Sequence, residues 1–253
     1  MSVNDNQITI QYKDGSIVNL QLGKTFGNAA GTVVPHNLLA NFKEGSKFKE
    51  GDCLVYNSNY FYPDPLNPNE VLWKAGVLAK VALMESSDTL EDSSAISEKM
   101  AAKFSTQITK VKEIKLRFDQ TVNNLVKEGS KVDPDTVLCI IEDPLTADNQ
   151  LFDDKSIETL KILANQAPKA KVDGVIDRIE VFYNGDKEDM SENIQRIVGE
   201  SDRKLSKRNK AARGQAINGS VDNSLRVDGV PLELDQLILK IYITTTVSAG
   251  VGD

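Results

Sequence analysis

The chain has 253 residues, of which 40% are apolar, so it is long enough to bury a core and to fold as one or two domains. Its net charge of -7 argues against binding nucleic acid through the overall field of the protein, although a local basic patch is compatible with it. The sequence shows neither an apolar run near the roughly 20 residues of a membrane span nor a signal-peptide pattern, which predicts a soluble, intracellular protein outside the membrane.

The N-terminal region predicts a β-hairpin whose function is not readable. Apolar and polar residues alternate in 8–12 and in 17–22, and the Lys-Asp-Gly-Ser sequence at 13–16 has the composition of a turn. His36 follows Pro35 in a predicted turn and is assigned no role.

Soft metal ligands are scarce, because the sequence holds two cysteines and one histidine. Cys53 and Cys139 both lie in apolar, strand-like runs. We therefore predict buried, reduced thiols at both positions and no zinc site.

An internal repeat gives the best indication of architecture. Residues 42–54 recur as residues 126–138, and the two copies share an identical Lys-Glu-Gly-Ser-Lys core. Each copy predicts a tight turn at its glycine, then an apolar residue, a second turn and a strand. We interpret this unit as a short hairpin that enters a small β-barrel.

A pair of adjacent carboxylates, Glu91 and Asp92, follows an apolar run. Residues 77–84 have the length and composition of a strand, and the polar residues 85–89 end it. The acidic pair is then predicted in a loop before a helix that runs to about Lys103, a position where loops often carry chemistry. Alternatively, Asp92 only caps that helix.

Two further helices are predicted. The first covers about 156–167, and one of its faces carries the apolar residues Ile157, Leu160 and Leu163. The second covers about 187–215 and combines an apolar stripe with a basic second half that contains Arg203, Lys204, Lys207 and Arg208. These cations can contact a phosphate backbone, or they form a solvated helix end.

The acidic-pair region resembles a segment of the β subunit of multisubunit DNA-directed RNA polymerases. In that family, G-x-N-x-x-V-A-x-M leads into F-E-D-x-x-x-I-S-E-R; the matching residues here are Gly76, Val81, Ala82, Met84, Glu91, Asp92, Ile96, Ser97 and Glu98. Residues 172–181 are similar to the strands that close the family's flap domain. Residues 237–243, followed by Gly252-Asp253, look like the strand that enters the G-D-K-x-x-G-R-H-G-x-K-G motif, and the chain stops before that motif's lysines.

The departures from the family pattern indicate a divergent member, of the type encoded by bacteriophages. Leu90 stands where the family has an aromatic residue, and Lys99 stands where it has arginine. The resemblance covers roughly residues 42–253.

The resemblance implies a mainly β fold with inserted helices (α+β), built as a barrel-sandwich-hybrid-like core with a flap domain. We expect an N-terminal hairpin region over 1–41. A core barrel with the acidic-pair loop would comprise 42–125 together with 235–253, and a flap-like domain would comprise 126–234. The repeats also resemble biotinyl and lipoyl carrier domains, but the lysine tripeptide that carries the prosthetic group is missing, so no carrier role is assigned.

The resemblance also implies a role in transcription. Glu91 and Asp92 would support the incoming nucleotide and a second Mg²⁺ shared with a β′-like partner subunit, with Asp92 acting indirectly, through water. Ile157, Leu160 and Leu163 would meet a sigma-like initiation factor.

In the assembled complex, Arg203, Lys204, Lys207 and Arg208 would contact DNA or RNA. The remaining β segment would be a separate partner, the isolated chain would be inactive as a nucleotidyltransferase, and the protein would lie in the host cytoplasm or the virion. The alternative is a non-catalytic structural or interaction protein, such as a virion component, that reuses the barrel hairpins.

Overall fold

The computed structural model describes residues 2–4, 7–83, 94–144, 167–211, 217–218, 226–227 and 230–250. In these ranges the protein is mostly β, with predominantly antiparallel sheets, which confirms the mainly β prediction. None of the described helices combines the length and the apolar character that a membrane crossing requires.

The elements follow one another in a chain of short and long strands with helices between them. The strands are β1 (Ser2–Asn4), β2 (Gln7–Gln11), β3 (Ile17–Gln21), β4 (Gly23–Ala29), β5 (Thr32–Ala40), β6 (Val55–Asn57), β7 (Phe61–Pro63), β8 (Val71–Trp73), β9 (Thr106–Arg117), β10 (Thr121–Asn123), β11 (Lys131–Val132), β12 (Ile140–Glu142), β13 (Gly174–Asn184), β14 (Ile217–Asn218), β15 (Arg226–Val227), β16 (Val230–Pro231) and β17 (Gln236–Val247). The helices are α1 (Glu98–Lys103), a 3-10 turn (Lys187–Asp189) and α2 (Glu192–Ala211).

The predicted N-terminal hairpin is confirmed. β2 and β3 pair in antiparallel register, and the amide of Tyr12 donates to the Ser16 carbonyl across the turn at 2.9 Å. Gly15 has φ +86°, a conformation that glycine adopts without the steric cost of a Cβ. Ile8, Ile10 and Leu22 form a small buried cluster on this hairpin.

The main sheet is organised around two long strands. Its strand order is β11-β13-β17-β9-β5-β4, with β6 on β5, and β17 pairs with β9 from Gln236–Arg117 to Val247–Thr106. Side chains alternate between the faces of a strand. In β17 the residues of one face are buried in the main core, namely Leu237, Leu239, Ile241 and Ile243.

The main core lies between this face of the sheet, α2 and the β10–β12 pair. It draws on residues within 114–141, 170–198 and 237–243, and each fully buried Ile or Leu stabilises the fold by roughly 1.5–3 kcal/mol. Ile194 and Val198 lie one helical turn apart on α2 and are both 0% exposed, so the predicted apolar stripe is confirmed there.

The two copies of the repeat have the same pair of turns, as predicted. Ser46 and Ser130 each donate their amide to the carbonyl three residues earlier at 3.1 Å. The second turns follow the same pattern, since the amides of Asp52 and Thr136 donate to the carbonyls of the residues three positions back. This local geometry leaves the barrel-sandwich-hybrid assignment as a proposal.

Two predicted elements differ in the structure. The strand prediction for 77–84 is wrong over its described part, because residues 77–83 have no partner strand and remain exposed. The helix after it begins only at Glu98, where Ser97 is the N-cap and accepts a hydrogen bond from the Met100 amide at 3.3 Å. Hence Asp92 is not the residue that caps α1.

Two other boundaries change. His36 lies within β5, in register with Thr25 of β4, and not in a turn. The predicted helix at 187–215 is interrupted because Met190 has an extended backbone (φ -83°, ψ 148°), which separates the 3-10 turn from α2. Residues 212–215 lie outside the described part of the chain.

Candidate functional site

The sequence-predicted acidic pair, Glu91 and Asp92, lies outside the described residues. The chain that flanks it is described on both sides: Lys74 comes before the pair and Ser105 after it. Both of these residues line the same surface groove. The segment that carries the acidic pair therefore leaves the fold and rejoins it at one place.

This groove has a volume of about 330 Å³ and is built from four parts of the chain. Val34 and Pro35 of β5 form one wall, and residues 58–60 continue from β6. Residues 105–107 and Thr246 supply the paired ends of β9 and β17. The volume lies near the lower end of the range of about 300–1,000 Å³ found for ligand pockets.

Lys74 is held at the groove by two hydrogen bonds. Its backbone amide donates to the Tyr60 carbonyl at 2.8 Å, and its Nζ donates to the Ser58 carbonyl at 2.5 Å. No carboxylate of the described residues forms an ion pair with Lys74. Because a carbonyl is neutral, the ammonium is positioned without losing its net charge.

Short polar contacts fix the turn that carries this wall of the groove. The amide of Ser58 donates to the Asn37 carbonyl at 2.8 Å, and Nδ2 of Asn59 donates to the Pro35 carbonyl at 2.7 Å. Asn57 Nδ2 lies 2.7 Å from Nδ1 of His36. Sequence reasoning missed this cluster; the Asn-Ser-Asn run at 57–59 was the local signal for a side-chain-stabilised turn.

The basic half of α2 is partly engaged inside the protein. Lys204 Nζ lies 2.8 Å from Oε2 of Glu128, in the turn of the second repeat, while Arg203 and Lys207 are exposed. The same carboxylate accepts a hydrogen bond from the Ile179 amide at 3.0 Å. Lys204 thus joins α2 to the repeat, and the side chain of Arg208 lies outside the described part.

The predicted factor-binding residues are not described. Ile157, Leu160 and Leu163 all fall in the gap between 144 and 167. Their role stays a prediction.

A row of charged residues, which the sequence analysis did not identify, crosses the second face of the main sheet. Glu180, Lys240 and Glu113 lie in register on three neighbouring strands, and Lys240 is 5% exposed. Its Nζ lies 3.3 Å from Oε1 of Glu113. The Tyr242 hydroxyl donates to Oε2 of Glu180 at 2.8 Å.

Further contacts extend this row toward β4. Arg178 lies 3.4 Å from Glu180 and stacks over the Phe26 ring at 5.1 Å, while Lys24 pairs with Asp177 at 2.5 Å. The three cations of the network balance its three carboxylates. Buried charges require such pairing, so we interpret this row as structural.

The two cysteines differ in burial. Both are free thiols; Cys139 is fully buried, as predicted, whereas Cys53 is only partly buried. Burial raises the pKa of the Cys139 thiol to about 11. It raises the pKa of the Cys53 thiol as well. Both shifts favour the neutral thiol.

Among the described residues, no group of three or more His, Cys, Asp or Glu side chains is arranged to hold a metal ion. The described residues alone therefore do not supply the Mg²⁺ site implied by the polymerase resemblance. The sequence matches no protein-family model and no curated protein.

Proposed function

We propose that this chain is a portion of the β subunit of a multisubunit DNA-directed RNA polymerase, of a divergent, phage-encoded type. It would work inside a nucleotidyltransferase complex with a β′-like subunit and the remaining β segment. The finer architecture belongs to the same proposal: a barrel-sandwich-hybrid-like core and a flap over 126–234.

One observation carries the proposal beyond the sequence motif. Lys74 and Ser105, which precede and follow the acidic pair, line one groove at the end of β9 and β17. A loop with both ends attached to a sheet presents its residues near that site, as loops that carry chemistry do on rigid scaffolds. This anchoring favours a functional role for Glu91 and Asp92 over helix capping, because Ser97 caps α1.

The acidic pair would contribute only part of a polymerase site. Phosphoryl transfer uses Mg²⁺ to stabilise charge on the attacking and leaving oxygens. Asp92 would assist one such ion through water, and Glu91 would adjust the local charge. The other ligands would come from the partner subunit, so the isolated chain would be inactive.

Two binding functions complete the proposal. Ile157, Leu160 and Leu163 would present an apolar helix face to a sigma-like initiation factor. Arg203 and Lys207 are exposed on α2 and would be available to DNA or RNA. Lys204 would contribute less, since it already pairs with Glu128.

The alternative, a non-catalytic interaction protein, has its own support. Apolar side chains are exposed on β8 and in the segment after it: Trp73 is 66% exposed, Leu78 96% and Leu83 99%. Exposed apolar patches mark protein contact sites. A virion component and a subunit of a larger enzyme would both need such a surface, so the acidic pair must decide between them.

The deciding experiment compares two neutralised carboxylates in the same segment. The chain is tagged in its native setting, its co-purifying chains are identified by mass spectrometry, and transcription by the purified complex is measured. Asp92→Asn should lower the elongation rate by roughly tenfold or more, because it removes charge stabilisation at the reacting phosphate.

Asp88→Asn, four residues away, is the matched control and should leave the rate unchanged. Equal rates for both variants would refute the role of the acidic pair. Recovery of capsid or tail proteins alone would support the virion alternative.

A further inference from the structure

We propose that the groove around Lys74 binds a phosphate group, carried either by a small phosphate ester or by a nucleic acid backbone. Such a site does not depend on the polymerase assignment, since it would be present in the chain alone. Failure of either proposal would leave the other intact.

The charge of the groove selects an anion. Lys74 is the charged residue among its described lining, and no Asp or Glu belongs to that lining. In a chain with a net charge of -7, this is a local positive site within a negative surround. Its ammonium is held by the Ser58 carbonyl at 2.5 Å and keeps two further N–H groups for a ligand.

The neutral donors around Lys74 favour phosphate over carboxylate. Five lining side chains have polar groups that make no hydrogen bond with other described residues: Tyr60, Ser105, Thr106, Gln107 and Thr246. They come from both walls of the groove. A tetrahedral phosphate presents several acceptor oxygens in different directions, whereas a planar carboxylate presents two.

The geometry of the groove is already formed. Thr246 and Gln107 are opposite residues in the β17–β9 pair, which fixes one wall. On the other wall, Asn59 is tied to the Pro35 carbonyl at 2.7 Å. Groups held in place before binding lose little conformational freedom on binding, so more of the interaction energy appears as affinity.

The groove also has room for a group attached to the phosphate. Tyr60 is 37% exposed, and its ring lies 6.0 Å from the His36 ring. An aromatic wall of this kind stacks against a sugar or a base. The remaining hydroxyl and amide groups can bind the hydroxyls of a sugar.

The test is a titration of the full-length chain followed by amide NMR shifts. The probes are inorganic phosphate, ribose 5-phosphate and a short single-stranded oligonucleotide, each matched against sodium chloride at equal ionic strength. We expect saturable shifts for residues 58–60, Lys74 and residues 105–107 with phosphate and not with chloride. Tighter binding of ribose 5-phosphate would identify a small ester as the source, and tighter binding of the oligonucleotide would identify a nucleic acid backbone.

Lys74→Gln should weaken phosphate binding by about tenfold or more, the usual effect of losing a charged hydrogen bond. Lys80→Gln is the matched control, since Lys80 is an exposed lysine of the same segment outside the groove lining. Gln107→Ala keeps the lysine and should weaken binding less, which preserves the test if Lys74→Gln fails to fold. Shifts equal to those in chloride, or equal losses for the two lysine variants, would overturn the proposal.

Discussion

The two copies of the Lys-Glu-Gly-Ser-Lys repeat have the same turns but different surroundings. In the second copy, Val132 and Leu138 are buried in the main core. In the first copy, Phe48 and Leu54 are only partly buried, against the small N-terminal cluster. Short-range sequence thus determines the turns, while tertiary packing determines how much each copy stabilises the fold.

The second copy is also tied to more of the molecule. The Gly129 amide donates to the Ile176 carbonyl at 2.6 Å, and the Ile176 amide donates to the Ser130 carbonyl at 2.9 Å. Glu128 adds its contacts to Ile179 and Lys204. The corresponding Glu44 of the first copy is exposed and makes no hydrogen bond with described residues. We therefore expect the second copy to be the more stable one.

The largest effect should come from the matched leucines. Leu138→Ala should lower the free energy of unfolding by about 2–5 kcal/mol, because it leaves a cavity in a fully buried site. Leu54→Ala should cost about 1–2 kcal/mol, since its side chain is already partly in water. Urea unfolding curves of the two variants measure the difference. Equal losses would contradict the contrast between the copies.

The cysteines report on the same contrast through chemical reactivity. Cys53 lies in the first copy and Cys139 directly follows the second. In the native protein at pH 8, Cys139 should react with a thiol reagent at least about tenfold more slowly than Cys53, because it is buried and its pKa is raised to about 11. Single Cys→Ala variants assign the two rates, and both thiols should react alike in denaturant.

The same raised pKa predicts a pH dependence of stability. The folded protein holds the Cys139 proton more tightly than the unfolded chain, whose thiol has the ordinary pKa of 9.0. The resulting stabilisation is complete below pH 9 and is lost as the pH rises through 11. Cys139→Ala should remove that part of the slope, and Cys53→Ala should change it less. A steeper slope in Cys139→Ala would contradict the assignment.

The smallest effect tests the feature that the two copies share. Gly45 and Gly129 have φ +78° and +86°, with open space where a Cβ would lie. Replacing either by alanine should cost about 1 kcal/mol, from backbone conformation alone. Similar shifts in the urea midpoint would support a purely local turn. A much larger loss at Gly129 would show that its contact with Ile176 forces the conformation.

Much of the fold followed from short-range patterns. Alternation predicted the hairpin at 8–22, and helical spacing predicted the buried residues Ile194 and Val198. The errors fell where a long-range partner decides. An apolar run at 77–83 forms no strand without a neighbouring strand to pair with, and His36 lies in β5 because β4 pairs with it.

The candidate site shows the same division. The sequence pointed to Glu91 and Asp92 through a motif, but it did not reveal that the residues flanking them meet at one groove. Lys74 is unremarkable among the lysines of the chain until Ser58 and the end of β9 are placed beside it.

Turns, hairpins and amphipathic stripes depend on interactions between residues close in the chain, which the sequence states directly. The groove and the Glu180–Lys240–Glu113 row depend on strand pairing between residues 60 or more positions apart. Their register is set by the burial of an entire sheet face, so only the folded structure brings these groups together.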